Sequence, residues 1–288
     1  MKFIYKIPGY ILLLFGGFCL SWGGFIVRSF ETSNPWEILL LRSFFFFFGI
    51  TIFLVLIYKK KAFETIKNAG FPGFTGGFVM SFSFISFVFA MMNTSVANVV
   101  FIISTQTMFL AILGFFYLKE KISLIGLLSI ILAMTGIIVM IGDSITSGTL
   151  FGNMVALVIP ISFSILVMIV RKNSNLDLVP AIWYASILSF FYAFIMVENF
   201  TFSNNDILMG FLLGVPQLSF GFICITIGSR TTRSVTIGLL MLTETVFAPF
   251  WVWLFLNEIP PLSVFIGGTI IIFAIIVKSL DRSKSYKT

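Results

Sequence analysis

Residues 105–120 read TQTMFLAILGFFYLKE, and residues 243–258 read TETVFAPFWVWLFLNE. Superposing Glu120 on Glu258 pairs Gln106 with Glu244, Thr105 with Thr243, Thr107 with Thr245 and Phe109 with Phe247. Apolar helices match one another by chance, so the polar matches carry this comparison. About twenty apolar residues in a helix rising 1.5 Å each cross roughly 30 Å of hydrocarbon. The two stretches therefore read as related membrane spans, one in each half of the chain.

The rest of the sequence supports a membrane reading. Of 288 residues, 59% are apolar and 10% are charged, and the mean hydropathy is +1.10. A soluble domain is about a quarter charged, so a soluble fold is excluded. Runs of spanning length fall at 9–29, 36–58, 70–91, 95–117, 123–142, 150–170, 178–197, 207–227, 234–256 and 262–279. They predict an all-α integral membrane protein of ten transmembrane helices joined by short loops, with no inserted soluble domain. The apolar stretch after Lys2 and Lys6 is longer than a signal-peptide core and no clear cleavage site follows, so it reads as a retained first helix.

Orientation follows from lysine and arginine, which stay on the cytoplasmic side of short loops. With the N-terminus inside, sixteen of the 18 basic residues fall in inner segments: Lys2 and Lys6, Lys59 to Lys61 with Lys67, Lys119 and Lys121, Arg171 and Lys172, Arg230 and Arg233, and the C-terminal group Lys278, Arg282, Lys284 and Lys287. Arg28 falls at an outer end, and Arg42 lies within a span. Losing or adding one helix would reverse every later loop and spoil the alternation. Both termini are therefore expected in the cytoplasm, and the expected location is a bacterial inner membrane. Five spans per half invert the second half relative to the first. The expected division is residues 1–145 and 146–288, a recurring transporter plan with the binding site near the midplane between repeats.

Three stretches carry a resemblance to a known family. LSWGGFIVRS (20–29) followed by Arg42, the tight link AMMNTSVANVVFI (90–102), and TETVFAPFWVWLFLNE (243–258) are similar to the drug/metabolite transporter (DMT) superfamily and its EamA-type members. In the family's ninth span proline often follows the glutamate, whereas here that position is Thr245 and Pro249 comes four residues later. The resemblance covers nearly the whole chain. It implies a ten-helix transporter with one central cavity, moving amino acids, other metabolites or drugs, often outward. It also implies that arginine at position 42 is common to carriers of many substrates, which suits a structural role.

Ionisable groups inside hydrocarbon are costly and face the bundle interior. Glu244 lies about ten residues into the ninth span, near the midplane, and Arg42 about six residues into the second. Arg42 suits a carboxylate, and Glu244 a cation or a proton. The competing reading makes them a buried ion pair. Burial opposes a charged Glu244 while a neighbouring Arg42 favours one, so proton coupling and a structural pair both stay open. Gln106 occupies the matching depth in the fourth span, either as a ligand contact or as a link between helices. Gln217 with Ser219, and Ser81 with Ser83, are weaker candidates, because serine commonly bonds back to its own helix.

Aromatics near span ends form interface belts, which accounts for Tyr10, Trp36, Tyr58 and Tyr117. Trp22, Trp183 and Trp251 lie deeper, and with Tyr184 they are candidates for stacking on a substrate. The run Phe44–Phe48 is expected to face lipid. Pro160, Pro216 and Pro249 are mid-span, all in the second half, where each is expected to bend its helix. Gly73 and Gly77 are expected to allow close helix packing.

The sequence has no histidine, acidic cluster or phosphate-binding loop, and Cys19 and Cys224 lack partner motifs. An embedded enzyme is therefore a remote reading, and no cofactor, metal or nucleic acid is expected. No ring of charge or filter-like loop suggests a channel. The expected partners are a small-molecule substrate and the lipid bilayer. The leading reading is a secondary transporter exporting or exchanging amino-acid-like metabolites. An uptake carrier for a nucleotide-derived or osmolyte-like metabolite stands second.

Overall fold

The computed structural model describes residues 3–94, 96–141, 150–198, 200–256 and 262–279. Glu258, the expected boundary between residues 145 and 146, and the basic residues Lys2, Arg282, Lys284 and Lys287 lie outside the described residues. Among the described residues every regular element is helical. In chain order they are α1 (Gly9–Leu20), α2 (Gly23–Arg28), α3 (Pro35–Tyr58), α4 (Ala62–Asn93), α5 (Val96–Ser104), α6 (Gln106–Tyr117), α7 (Leu124–Ile141), α8 (Leu150–Lys172), α9 (Val179–Met196), α10 (Asn204–Leu212), a π-helical segment (Leu213–Ser219), α11 (Phe220–Ser229), α12 (Ser234–Leu256) and α13 (Leu262–Ser279).

Among the described residues, seven helical stretches are long and apolar enough to cross a membrane. One of them, Pro35–Asn93, runs for 59 residues, well beyond one bilayer thickness. It is interrupted at Lys59, where φ is 51°, and again at Gly70, where φ is 52°. The second break falls where the third apolar run was expected to begin. Leu124–Val139 and Phe265–Lys278 are shorter apolar helices.

Three further interruptions have local causes. Between α1 and α2 the Ser21 hydroxyl donates to the Phe18 carbonyl at 2.6 Å, and two glycines follow. Between α5 and α6, Ser104 and Thr105 donate to the carbonyls of Phe101 and Ile102, both at 2.6 Å, so side chains compete for the backbone of that turn. Pro216 sits inside the π-helical segment, where Ser219 donates to the Gly214 carbonyl five residues back at 2.9 Å. Hence the first half has interrupted spans without deep prolines. In the second half α8 and α12 run on as helices through Pro160 and Pro249.

The packing brings α1 against α11 and α12, α3 against α9 and the π-helical segment, and α4 against α8 and α9. It also brings α6 against α8 and α12, and α7 along α13. Close approach is enforced by glycine. A Cβ on Gly77 would lie 2.5 Å from the Ala181 carbonyl oxygen, and one on Gly214 would lie 2.7 Å from that of Arg42. The Phe44–Phe48 run is not uniformly turned to lipid. Phe46 is fully buried against Phe84, because a helix rotates its run of side chains around the axis and one must point inward.

The basic loops meet at one end of the bundle. There Lys172 donates to the Tyr117 hydroxyl at 3.1 Å, Lys278 to the Ser123 hydroxyl at 3.4 Å, and Arg230 to the Ser174 carbonyl at 2.7 Å. Glu120 pairs with Arg171 and also accepts from the Ser234 amide at 3.0 Å. The Asp177 carboxylate accepts from the hydroxyls of Tyr5 and Tyr58, which also bond to each other. At the opposite end Asp206 accepts from the Glu31 amide at 2.7 Å, Asn205 donates to the Ser29 carbonyl at 2.9 Å, and Thr94 donates to Asn153 at 2.9 Å.

Candidate functional site

Between these two ends lies a cavity of about 40 Å³, lined by polar residues from four elements: Arg42 of α3, Gln106 of α6, Gln217 of the π-helical segment and Glu244 of α12. Ser83, Phe84 and Phe87 of α4, Ile159 and Phe163 of α8, and Phe222 of α11 complete much of the wall. All four polar side chains are buried. The cavity has room for about two or three waters. Metabolite sites are roughly 300–1,000 Å³, so a metabolite requires the surrounding helices to separate.

Local structure sets each position. Gln106 opens α6 directly after the Thr105 interruption. Gln217 follows Pro216 in the widened turn, and its amide donates to the Leu20 carbonyl at 3.2 Å. Glu244 follows Thr243, whose hydroxyl donates to the Leu240 carbonyl at 2.6 Å, the bond that Thr105 makes to Ile102 in α5. Gly17 of α1 lets that helix come close enough to Glu244 that a Cβ would sit 3.5 Å from its backbone nitrogen.

Arg42 makes no direct ion pair with Glu244, although both line the cavity. The Arg42 guanidinium instead donates from Nη1 to the Phe84 carbonyl at 3.2 Å and lies over the rings of Phe87 and Phe84, at 4.8 and 5.5 Å from their centroids. Such cation–π contacts offset part of the burial cost. Its Nε has no acceptor, and Gln217 Oε1 has no donor, among the described residues. Buried polar atoms are rarely left unpaired, and two of them border this cavity.

The other candidates lie elsewhere. Trp22 and Trp251 pack together at 4.7 Å with Phe18 nearby, and Trp251 donates to Ser21 at 2.7 Å, fastening α12 to the interruption of the first span. Trp183 donates to Thr51 at 3.0 Å, and Tyr184 packs edge-on to Phe74, so both serve the packing of α9 on α3 and α4. Ser81 donates back to the Phe78 carbonyl at 2.7 Å, while its neighbour Ser83 reaches the cavity. The Trp183 and Trp251 indoles donate to adjacent helices, and none of Trp22, Trp183, Tyr184 and Trp251 lines the cavity.

Residues 7–142 match the EamA-like transporter family. That stretch is just under half of the chain. The match and the apolar helices make this a multi-pass membrane protein similar to the drug/metabolite transporters. A protein of Clostridium kluyveri described as an uncharacterized transporter is 24% identical over 300 residues, covering 96% of this chain and 94% of its own. A crystal structure of a protein at 14% identity shares the fold with a TM-score of 0.78, over 94% of this chain and 96% of that one. For an EamA-like chain, what sequence reasoning missed is the aromatic wall. Phe84, Phe87, Phe163 and Phe222 carry no signal among 38 phenylalanines. The one available hint is that Ser83, Phe84 and Phe87 share a helical face, since residues three and four apart are neighbours.

Proposed function

We propose that this chain is a ten-span carrier of two inverted five-helix halves, residues 1–145 and 146–288. In this reading it exports or exchanges a small amino-acid-like metabolite by alternating access across a bacterial inner membrane, with both termini in the cytoplasm. It moves its substrate without converting it.

The span count rests on dividing Pro35–Asn93 at Lys59 and adding the helices α7 and α13. The helix pairings support the inverted repeat. Packing of the first span on the eighth and ninth (α1 on α11 and α12) corresponds to packing of the sixth on the third and fourth (α8 on α4, α5 and α6). The third span on the seventh (α4 on α9) corresponds to the eighth on the second (α10 and the π-helical segment on α3). The remaining strong pairings, α3 with α9, α6 with α12 and α7 with α13, correspond to themselves under the same shift of five. Gly73 and Gly77 in the third span are matched by Gly210 and Gly214 in the eighth, each pair four apart and each meeting a neighbouring helix. The cytoplasmic placement of the termini rests on the basic loops gathering at one end.

The observation that carries the function is the cavity. Both halves contribute polar side chains to it, Arg42, Ser83 and Gln106 from one and Gln217 and Glu244 from the other, and among the described residues Arg42 Nε and Gln217 Oε1 have no partner. A zwitterion suits this set. Its carboxylate would meet Arg42, its ammonium Glu244, and the amides would fix its orientation. Access then means releasing one end at a time. The cytoplasmic clamp is Asp177 with Tyr5 and Tyr58, Arg230 on Ser174, and Glu120 with Arg171; the outer clamp is Asp206 on the Glu31 amide, Asn205 on Ser29 and Thr94 on Asn153. A thermal-shift screen of the purified protein against amino acids and other metabolite pools tests the reading, because a ligand stabilises the state it binds. A stabilising amino acid whose effect disappears in Gln217→Leu is expected. Stabilisation undiminished in that variant would remove the cavity from the account.

A further inference from the structure

The segment between the second and third spans departs from an ordinary short loop. Lys59 has φ 51° and ψ −127°, a strained backbone for a side chain with a Cβ, and Gly70 has φ 52° and ψ −149°. These two breaks set residues 62–69 apart from both spans as a short helical elbow. The elbow has three faces. Ile66 packs on the core and Ala69 is buried. Lys61, Glu64, Thr65 and Asn68 line a groove shared with Tyr58 and Asp177. The third face carries Lys60, Phe63 and Lys67, spaced three and four apart, all exposed. Phe63 is 78% exposed, and Phe71, just past the Gly70 break, is 79% exposed.

We propose that this elbow is a docking site for anionic phospholipid headgroups of the cytoplasmic leaflet. The charge balance points to that occupant, with Lys59, Lys60, Lys61 and Lys67 against Glu64 alone in the segment. Phe63 lies within the cationic stripe and Phe71 just beyond it, and rings beside cations are the arrangement by which amphipathic helices lie in a membrane surface. Each cation near an anionic leaflet strengthens attachment about fivefold. The elbow begins four residues after Tyr58, which bonds to Asp177 across the two halves, so bound lipid holds one side of the cytoplasmic clamp. Assignment to the cytoplasmic leaflet rests on the orientation proposed above; headgroup binding itself does not.

The test uses full-length protein in nanodiscs of phosphatidylcholine with and without phosphatidylglycerol. Amide hydrogen exchange across residues 59–71 should slow at least about fivefold in the anionic discs, and 0.5 M salt, which screens such attraction, should erase the difference. Replacing Lys59, Lys60, Lys61 and Lys67 together by glutamine should abolish it while leaving exchange in the spans unchanged. Replacing the same four by arginine should keep it. Equal exchange of the wild type in both discs, or a glutamine variant that retains the preference, would overturn the proposal. Orientation is read separately, by labelling Lys60→Cys with an impermeant maleimide in right-side-out and inverted membrane vesicles. Labelling in inverted vesicles alone supports the cytoplasmic assignment, and labelling from the outside overturns it without affecting the nanodisc result.

Discussion

Replacing Gly77 by alanine tests the packing with a control built into the same molecule. The new methyl group would lie 2.5 Å from the Ala181 carbonyl oxygen, 2.6 Å from Tyr184 Cβ and 3.1 Å from the Ala185 nitrogen. Carbon atoms in contact prefer about 3.5–4.0 Å, so α4 and α9 must separate by up to about 1 Å. Two of the three obstructing atoms are backbone and the third is a Cβ, so no rotamer change relieves them. Overpacking of this kind costs about 1–3 kcal/mol. Alanine also favours a helix over glycine by about 1 kcal/mol, which would blur a single measurement. Gly268→Ala cancels that effect, because its methyl would meet only Val246 Cγ1 at 3.9 Å, an ordinary contact. Gly77→Ala should therefore melt below Gly268→Ala by about 3–9 °C. Gly214→Ala, with three atoms at 2.7 Å, should fall with Gly77→Ala. The buried thiols of Cys19 and Cys224 supply the assay, since they react with a maleimide dye only as the fold opens. Equal melting of Gly77→Ala and Gly268→Ala would refute the reasoning.

Glu120→Gln should destabilise the protein by about 1–3 kcal/mol in the same assay, because Arg171 loses its charged partner and the Ser234 amide its carboxylate acceptor; an unchanged midpoint would show that the contact contributes nothing. Burial, then the charge of Asp177, raises the Tyr5 phenol above the ordinary tyrosine range, so the folded state keeps a proton that the unfolded chain loses near pH 10. The stability this contributes is complete below about pH 10 and declines as pH rises beyond it, and Tyr5→Phe should flatten that decline; an identical alkaline slope in the variant would exclude Tyr5 as its source. Reporter fusions after Lys61, Lys121, Arg171 and the C-terminus should report cytoplasm, and those after Asp143 and Asn204 the opposite side. A C-terminus found outside would end the ten-span reading.

Much of the architecture was legible because hydropathy and charge report directly on burial in lipid. The third apolar run was expected at residue 70, where the Gly70 break stands. Spacing along the helix, together with the rule that polar groups avoid lipid, was enough to single out Arg42, Gln106 and Glu244, with Gln217 as a weaker candidate, and all four line one cavity. The span interruptions at Ser21 and Thr105 were not legible. At both, hydroxyls bond back to carbonyls three residues earlier, which hydropathy does not register. The same bond from Thr243 leaves α12 unbroken, so it does not interrupt a helix by itself. Trp183 and Tyr184 looked equally deep in sequence, but depth does not give helix phase, and α9 turns both toward α3 and α4. The absence of an ion pair between Arg42 and Glu244 was equally hidden, because Phe84 and Phe87 take the guanidinium instead.

In the proposed carrier, the cavity of Arg42, Gln106, Gln217 and Glu244 holds the substrate. Transport of labelled amino acids in proteoliposomes, with and without a pH gradient, tests it most directly when wild type, Glu244→Gln and Trp183→Phe are compared at matched folding. Glu244 is the one carboxylate on the cavity wall. Glu244→Gln is expected to lose gradient-driven transport while keeping part of the exchange between substrate pools, and Trp183→Phe to retain both. Wild-type rates and unchanged pH dependence in Glu244→Gln would contradict the claim.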